Sequence, residues 1–139
     1  REKLVFSIVM VDFDHFKKIN DQYGHDAGDK VLAAFGKTVL KIMRESDLAC
    51  RFGGEEFAFF LSNTAQTQAL KFSERLHIAI RESSINYEGA SIQYTVSMGI
   101  ASYPKARIKN VQGFLKVADK GLYIAKENGR NQTKIYEVK

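Results

Sequence analysis

Cysteine, proline, long apolar runs and blocks of like charge are all scarce in this 139-residue chain, and each scarcity removes a class of protein. A single cysteine, Cys50, cannot close an internal disulfide, and an unpaired thiol in an apolar, strand-like stretch suits a reducing cytoplasm. Cys50 is expected to be a small buried filler. No segment approaches the roughly 20 consecutive apolar residues of a membrane span, and the opening REKLVFSIVM lacks the order of a secretory signal. The expectation is a soluble cytoplasmic domain that makes no membrane contact itself, whether or not a parent protein is membrane-anchored. One proline, Pro104, and the lack of any low-complexity linker argue against a disordered basic tail.

What is present suffices for one core. With 45% hydrophobic and 12% aromatic residues, residues 1–139 read as one globular domain. The net charge of +5 favours a polyanionic partner without choosing among nucleic acid, nucleotide or membrane surface. Leu4 to Val11 is an apolar, β-branched run bounded by Asp12 and Asp14, hence a buried strand whose end carries carboxylates. Phe16 to Tyr23 predicts a short helix stopped by Gly24. Asp29 to Met43 shows helical spacing through Val31, Leu32, Phe35, Val39, Leu40 and Met43. Leu48 to Phe52 and Phe57 to Leu61 predict an antiparallel hairpin across Gly53-Gly54. Thr64 to Arg81 predicts an amphipathic helix with Leu70, Leu76 and Ile80 on one side. Ile85 to Tyr87 and Ile92 to Ala101 predict a second hairpin around Glu88-Gly89, with alternation at Val96, Met98 and Ile100. A last helix over Val111 to Asn128, ended by Gly129, precedes a closing strand at Lys134 to Val138. The order predicts an α+β domain, a mainly antiparallel sheet with helices packed on its faces.

The stretch RFGGEEF at 51–57 is unusual for a turn. Two glutamates directly after Gly53-Gly54 place negative charge where a strand enters the core, and uncompensated burial of carboxylates is costly. One solution is a salt-bridged hairpin tip, with Arg51 as partner. The other uses the first strand, which also ends in acidic residues: two strand ends sharing carboxylates form a hard oxygen site suited to Mg²⁺, the ion of phosphoryl and nucleotidyl transfer.

VDFDHFKKINDQYGHDAGD at 11–29, RFGGEEF at 51–57 and KENGRN at 126–131 resemble, in that order, the GGDEF domain of diguanylate cyclases in its GGEEF form. The resemblance spans essentially the whole chain. It implies a palm-like nucleotidyl cyclase architecture and condensation of two GTP into cyclic di-GMP with release of pyrophosphate. By position it makes Asp12, the main-chain carbonyl of Phe13 and Glu55 the ligands of Mg²⁺, or of Mn²⁺, with Glu56 assisting at the metal or the attacking hydroxyl. Adjacent side chains on a regular strand point to opposite faces, so both glutamates reach one ion only where the turn distorts the strand. The role of Asp14 stays open. Asn20 and Asp29 match guanine-reading positions, His25 a substrate-site position, and Lys17, Lys126 and Arg130 phosphate contacts, Lys17 counted also with the catalytic residues. The family carries an upstream D-x-L-T-x-L-x-N-R stretch, and this chain begins after it, so 1–139 is read as the catalytic domain without its N-terminal start. A homodimer, at least transient, and an upstream sensory or receiver domain are implied partners.

Arg44-Glu45-Ser46-Asp47 is an R-x-x-D that ends shortly before the glycine pair. Read alone it is a helix-terminal arginine, favourable against the helix dipole, followed by a loop aspartate. The resemblance makes it the inhibitory site for cyclic di-GMP, with Arg75 as a secondary arginine. Two other functions stand against catalysis. A silent domain that senses GTP or cyclic di-GMP is opposed by the intact Asp12, Glu55 and Glu56. An RNA-binding domain needs exposed aromatics on central strands, and no matching aromatic-glycine motif occurs, so no nucleic-acid partner is expected.

Overall fold

A strand of eight consecutive residues that are nearly all buried requires cover on both faces, and FSIVMVDF is such a strand. In the computed structural model, which describes residues 4–106 and 108–138, this is β1 (Phe6–Phe13). It lies at the centre of a five-stranded sheet of order β2-β3-β1-β6-β7, formed with β2 (Leu48–Arg51), β3 (Glu56–Ser62), β6 (Val96–Tyr103) and β7 (Thr133–Ile135). The period-2 rule divides its side chains. Val9, Val11 and Phe13 join Phe59, Leu61, Val96, Met98 and Ile100 in one core, closed by α1 (Phe16–Tyr23), α2 (His25–Ile42) and α3 (Gln66–Glu82). Ile8 and Met10 join Ala58 and Ala101 on the opposite face, beneath Phe114, Val117, Ala118 and Leu122 of α4 (Val111–Glu127). With helices on both faces, the central strands offer no open aromatic platform for RNA among the described residues.

The helices follow from spacing and caps. α1 has the predicted bounds, ending where Gly24 takes φ +96. In α3 the buried stripe is Ala69, Phe72, Ser73, Leu76, His77 and Ile80, the i, i+3, i+4, i+7 pattern of an amphipathic helix. Leu70, expected in that stripe, is on its edge and exposed, as is Leu40 on α2. Asn110 caps α4 by accepting from Gly113 N–H at 2.8 Å.

Several expectations need correction. Cys50 is exposed, because β2 is an edge strand whose four residues all face solvent. The second predicted hairpin divides: β4 (Ile85–Tyr87) pairs with β5 (Ala90–Ile92) in a separate two-stranded sheet, and after Gln93-Tyr94-Thr95 the chain enters β6 beside β1. The closing strand is shorter and earlier than Lys134 to Val138, and it runs parallel to β6, the one parallel pair in an otherwise antiparallel sheet. α2 starts at His25, four residues before the expected Asp29.

Candidate active site

Sheet register brings the two acidic segments together. β1 and β3 pair antiparallel with Asp12 directly opposite Glu56, and Phe13 N–H donates to the Glu55 carbonyl at 3.3 Å. Paired residues share a face, so Asp12 and Glu56 project on the side covered by α4. Glu55 precedes β3, in the bend after Gly53-Gly54, so strand parity does not force it away from them. Burial pushes the Glu55 carboxyl above its ordinary range, the negative charge of Asp12 pushes it further, and Glu56 adds to the shift against a partial offset from Lys126.

Arg51 does not answer this charge. Its guanidinium donates to the carbonyls of Gly53 (3.0 Å) and Gly54 (2.6 Å) and lies over the Phe57 ring, so it shapes the hairpin tip and leaves the glutamates without an ion pair. Among the described residues the one cation paired with this cluster is Lys126, on the last turn of α4, whose ammonium donates to Asp12 Oδ2. Asp12 Oδ1 is buried without a partner.

A divalent cation fits this chemistry. Asp12 presents an orphaned buried oxygen, Glu55 is held under charge repulsion, and both are hard oxygen donors. No group of three or more His, Cys, Asp or Glu side chains is gathered for a metal among the described residues.

Asp14, whose role the sequence left open, is a structural anchor. It is 5% exposed and accepts from Ser97 Oγ (2.6 Å), Thr95 Oγ1 (2.7 Å) and the Asn131 N–H (2.9 Å). One carboxylate thereby ties the end of β1 to the start of β6 and to the loop after α4. Asp14→Ala strands these donors and is expected to cost about 2–4 kcal/mol of unfolding free energy. Urea titration checks this; a loss under about 0.5 kcal/mol would show that the anchor carries no weight.

The remaining site residues lie on neighbouring elements. Lys17 is exposed and Asn20 half-buried on α1, while His25 and Asp29 are exposed on the packed first turns of α2. Asn20 is set by a residue the sequence reading missed: a Cβ on Gly28 would stand 1.9 Å from Asn20 Oδ1. A glycine inside a helix pattern is the signal that could have found it. Arg130, exposed with φ 63, follows Gly129 in the loop that Asp14 anchors.

Arg44 and Asp47 are joined by a guanidinium fork, Nε to Oδ2 at 3.2 Å and Nη2 to Oδ1 at 2.8 Å; Nη2 also donates to the Ser62 carbonyl at 2.6 Å. Burial would raise the Asp47 carboxyl, but hydrogen bonds from the Arg44 side chain and backbone and its charge together hold it below the ordinary range. The pair lines a cavity of about 320 Å³ together with Lys71 and Arg75, so the three expected inhibitory-site residues share one concavity.

The family described as diguanylate cyclase, GGDEF domain, matches residues 1–132. Diguanylate cyclase A of Treponema denticola is 43% identical over 131 residues, covering 94% of this chain and 35% of that protein, so the chain spans about a third of that relative's length. Among solved structures, the GGDEF domain of TpbB (YfiN) from Pseudomonas aeruginosa superposes with a TM-score of 0.91 at 32% identity, covering 97% of this chain and 78% of that one. The active GGEEF domain of a diguanylate cyclase from Vibrio cholerae gives 0.88 at 31% identity, covering 97% and 85%. With a family match over residues 1–132, nearly its whole length, the chain belongs to the diguanylate cyclase GGDEF domain family.

Proposed function

We propose that the chain is the catalytic domain of a diguanylate cyclase that condenses two GTP into cyclic di-GMP. The observation that carries this reading is the register pair Asp12 and Glu56, with Glu55 beside it. Asp12, the Phe13 carbonyl and Glu55 would hold Mg²⁺, or Mn²⁺, which when bound supplies positive charge against the triphosphate. Asn20 and Asp29 read guanine, because an amide and a carboxylate satisfy its acceptor and donor edges. His25 borders the nucleotide, and Lys17 and Arg130 face its phosphates. Glu56 orients the attacking hydroxyl.

The 3′-oxygen of each GTP attacks the α-phosphorus of the other, forming a phosphodiester as the bond to the β-phosphate oxygen breaks and pyrophosphate leaves. The hydroxyl proton passes to solvent or to a carboxylate. One domain presents one nucleotide, so two copies must meet face to face, and the homodimer is part of the reaction. The test is incubation of purified protein with GTP and magnesium over a range of protein concentrations. Cyclic di-GMP, with specific activity rising in the micromolar range, is expected. GTP binding without product would instead favour the silent sensing domain.

Asn20→Ala is expected to raise KM for GTP by about 10–100-fold and to leave weak binding of ATP nearly unchanged, because only the base contact is lost. Competition binding with both nucleotides checks this. Equal losses would make Asn20 a packing residue under Gly28.

The cavity holding Arg44, Asp47 and Arg75 is read as the inhibitory site for cyclic di-GMP. At about 3.3 Å per extended residue, Asp47 stands roughly 15 Å from the hairpin tip, so product bound there inhibits without competing for its own protomer's GTP. Arg44→Ala is a poor probe, because it strands Asp47, which is 7% exposed. Arg75 is exposed and free of that pairing. Arg75→Ala is therefore expected to raise the cyclic di-GMP concentration for half-inhibition by about tenfold with melting unchanged. Wild-type inhibition in that variant would remove Arg75 from the site.

A further inference from the structure

Lys126 already holds one oxygen of the Asp12 carboxylate whose other oxygen is open to a divalent cation, and two cations on one carboxylate repel each other. Lys126 reaches Asp12 because α4 lies over the same sheet face as Asp12, and its ammonium donates to Oδ2. Asp12 is buried, with side-chain exposure of 9%, so this is no surface pair loosened by solvent. Around it stand Glu55 and Glu56, neither paired with any cation within 4.0 Å among the described residues. The cluster of carboxylates is therefore served by one ammonium.

We propose that Lys126 is a built-in counter-ion that competes with the metal for Asp12, so that metal and nucleotide must enter together. This rests on the metal site proposed above. In the nucleotide-free protein, a divalent cation entering at Asp12 Oδ1 meets the ammonium held on Oδ2 of the same carboxylate. Repulsion between the two cations then opposes binding. A triphosphate changes the balance: its oxygens supply acceptors for the displaced ammonium and further ligands for the metal. Lys126 thus has two positions, on Asp12 when the site is empty of nucleotide and on the phosphates when it is filled. By linkage, nucleotide tightens metal binding and metal tightens nucleotide binding by the same factor, and the lysine carries much of that coupling. Its function in the empty enzyme is to keep the acidic hairpin folded and closed to stray divalent ions.

The experiment is calorimetric titration of Mn²⁺ into wild type, Lys126→Met and Asp12→Asn, each alone and with α,β-methylene-GTP, whose α–β linkage cannot release pyrophosphate. Lys126→Met keeps length and apolar stem but removes the charge, and is expected to bind Mn²⁺ without nucleotide at least about tenfold more tightly than wild type. Its tightening on addition of the analogue is expected to shrink by a similar factor, and its metal-free form to melt at a lower temperature. Lys126→Gln, which keeps a hydrogen-bond donor for Asp12, gives the same reading if the methionine variant does not fold. Equal Mn²⁺ affinities in wild type and the lysine variants would overturn the exchange while leaving the metal site intact. Failure of Mn²⁺ to bind any variant, with or without the analogue, would overturn the metal site and the exchange with it; binding that survives Asp12→Asn would do the same for Asp12.

Discussion

Replacing Glu55 with glutamine is expected to reduce cyclic di-GMP formation by at least about 10³-fold while the melting temperature holds or rises slightly. Glutamine keeps the volume and an acceptor oxygen but removes the negative charge that a divalent cation requires. The same charge is a liability without metal. Glu55 is driven above its ordinary carboxyl range by burial and by Asp12, so its ionised form is disfavoured in the fold relative to the unfolded chain. That strain is fully present at pH above the folded value and disappears as the carboxyl protonates, so removing the charge at neutral pH relieves it. Activity and stability are therefore expected to move in opposite directions, a signature that a merely structural glutamate would not give. Chromatography of the reaction products and a melt of the metal-free protein check both halves. Turnover within tenfold of wild type would sink the assignment of Glu55 to the metal.

Local spacing made most of the elements legible, and the departures have physical causes. α1 was readable at both ends because a glycine able to take positive φ closes it. The apolar run of the first strand ends at Val11 in the sequence, where Asp12 begins the acidic segment. The strand continues through Asp12 and Phe13, because Asp12 pairs across to Glu56 and Ser97 and is covered by Lys126. That lysine lies 114 positions away, and no local pattern announces the partnership. The same holds for Asp14, whose donors come from β6 and the loop after α4. Cys50 is expected inside and lies outside because an apolar edge strand reads like a central one; only the strand order shows which is which. The acidic hairpin was legible as an anomaly, since two carboxylates after a glycine pair contradict burial. Its first suggested remedy, Arg51, turned out to be spent on the turn's own carbonyls.

A methyl group added at Gly99 is expected to cost about 3 kcal/mol, although the same addition at Gly36 is expected to stabilise by about 0.5–1 kcal/mol. Gly99 lies in β6 on the face under α4, and a Cβ there would stand 2.0 Å from the Ala118 carbonyl oxygen and 2.2 Å from the Leu122 nitrogen. These are backbone atoms of a continuous helix, so no rotamer change makes room. Gly121 faces it, with its own absent Cβ 3.2 Å from Gly99 Cα and 2.5 Å from the Lys134 carbonyl oxygen. Helix and strand therefore meet backbone to backbone at this crossing, and the helix can only lift. Gly36 is an exposed position within α2 with nothing within 4 Å of an added Cβ, so alanine there only removes freedom from the unfolded chain and adds helix propensity. Urea unfolding of the two variants checks the opposite signs; a loss at Gly99 below about 1 kcal/mol would mean that α4 rides over the sheet more loosely than this contact implies. The crossing also sets the site. Lys126 lies five residues beyond Gly121 on the same helix, so lifting α4 withdraws the ammonium from Asp12 and shifts the loop carrying Arg130. Gly99→Ala should consequently lose activity under conditions where it is still fully folded, which separates a displaced helix from a merely destabilised one.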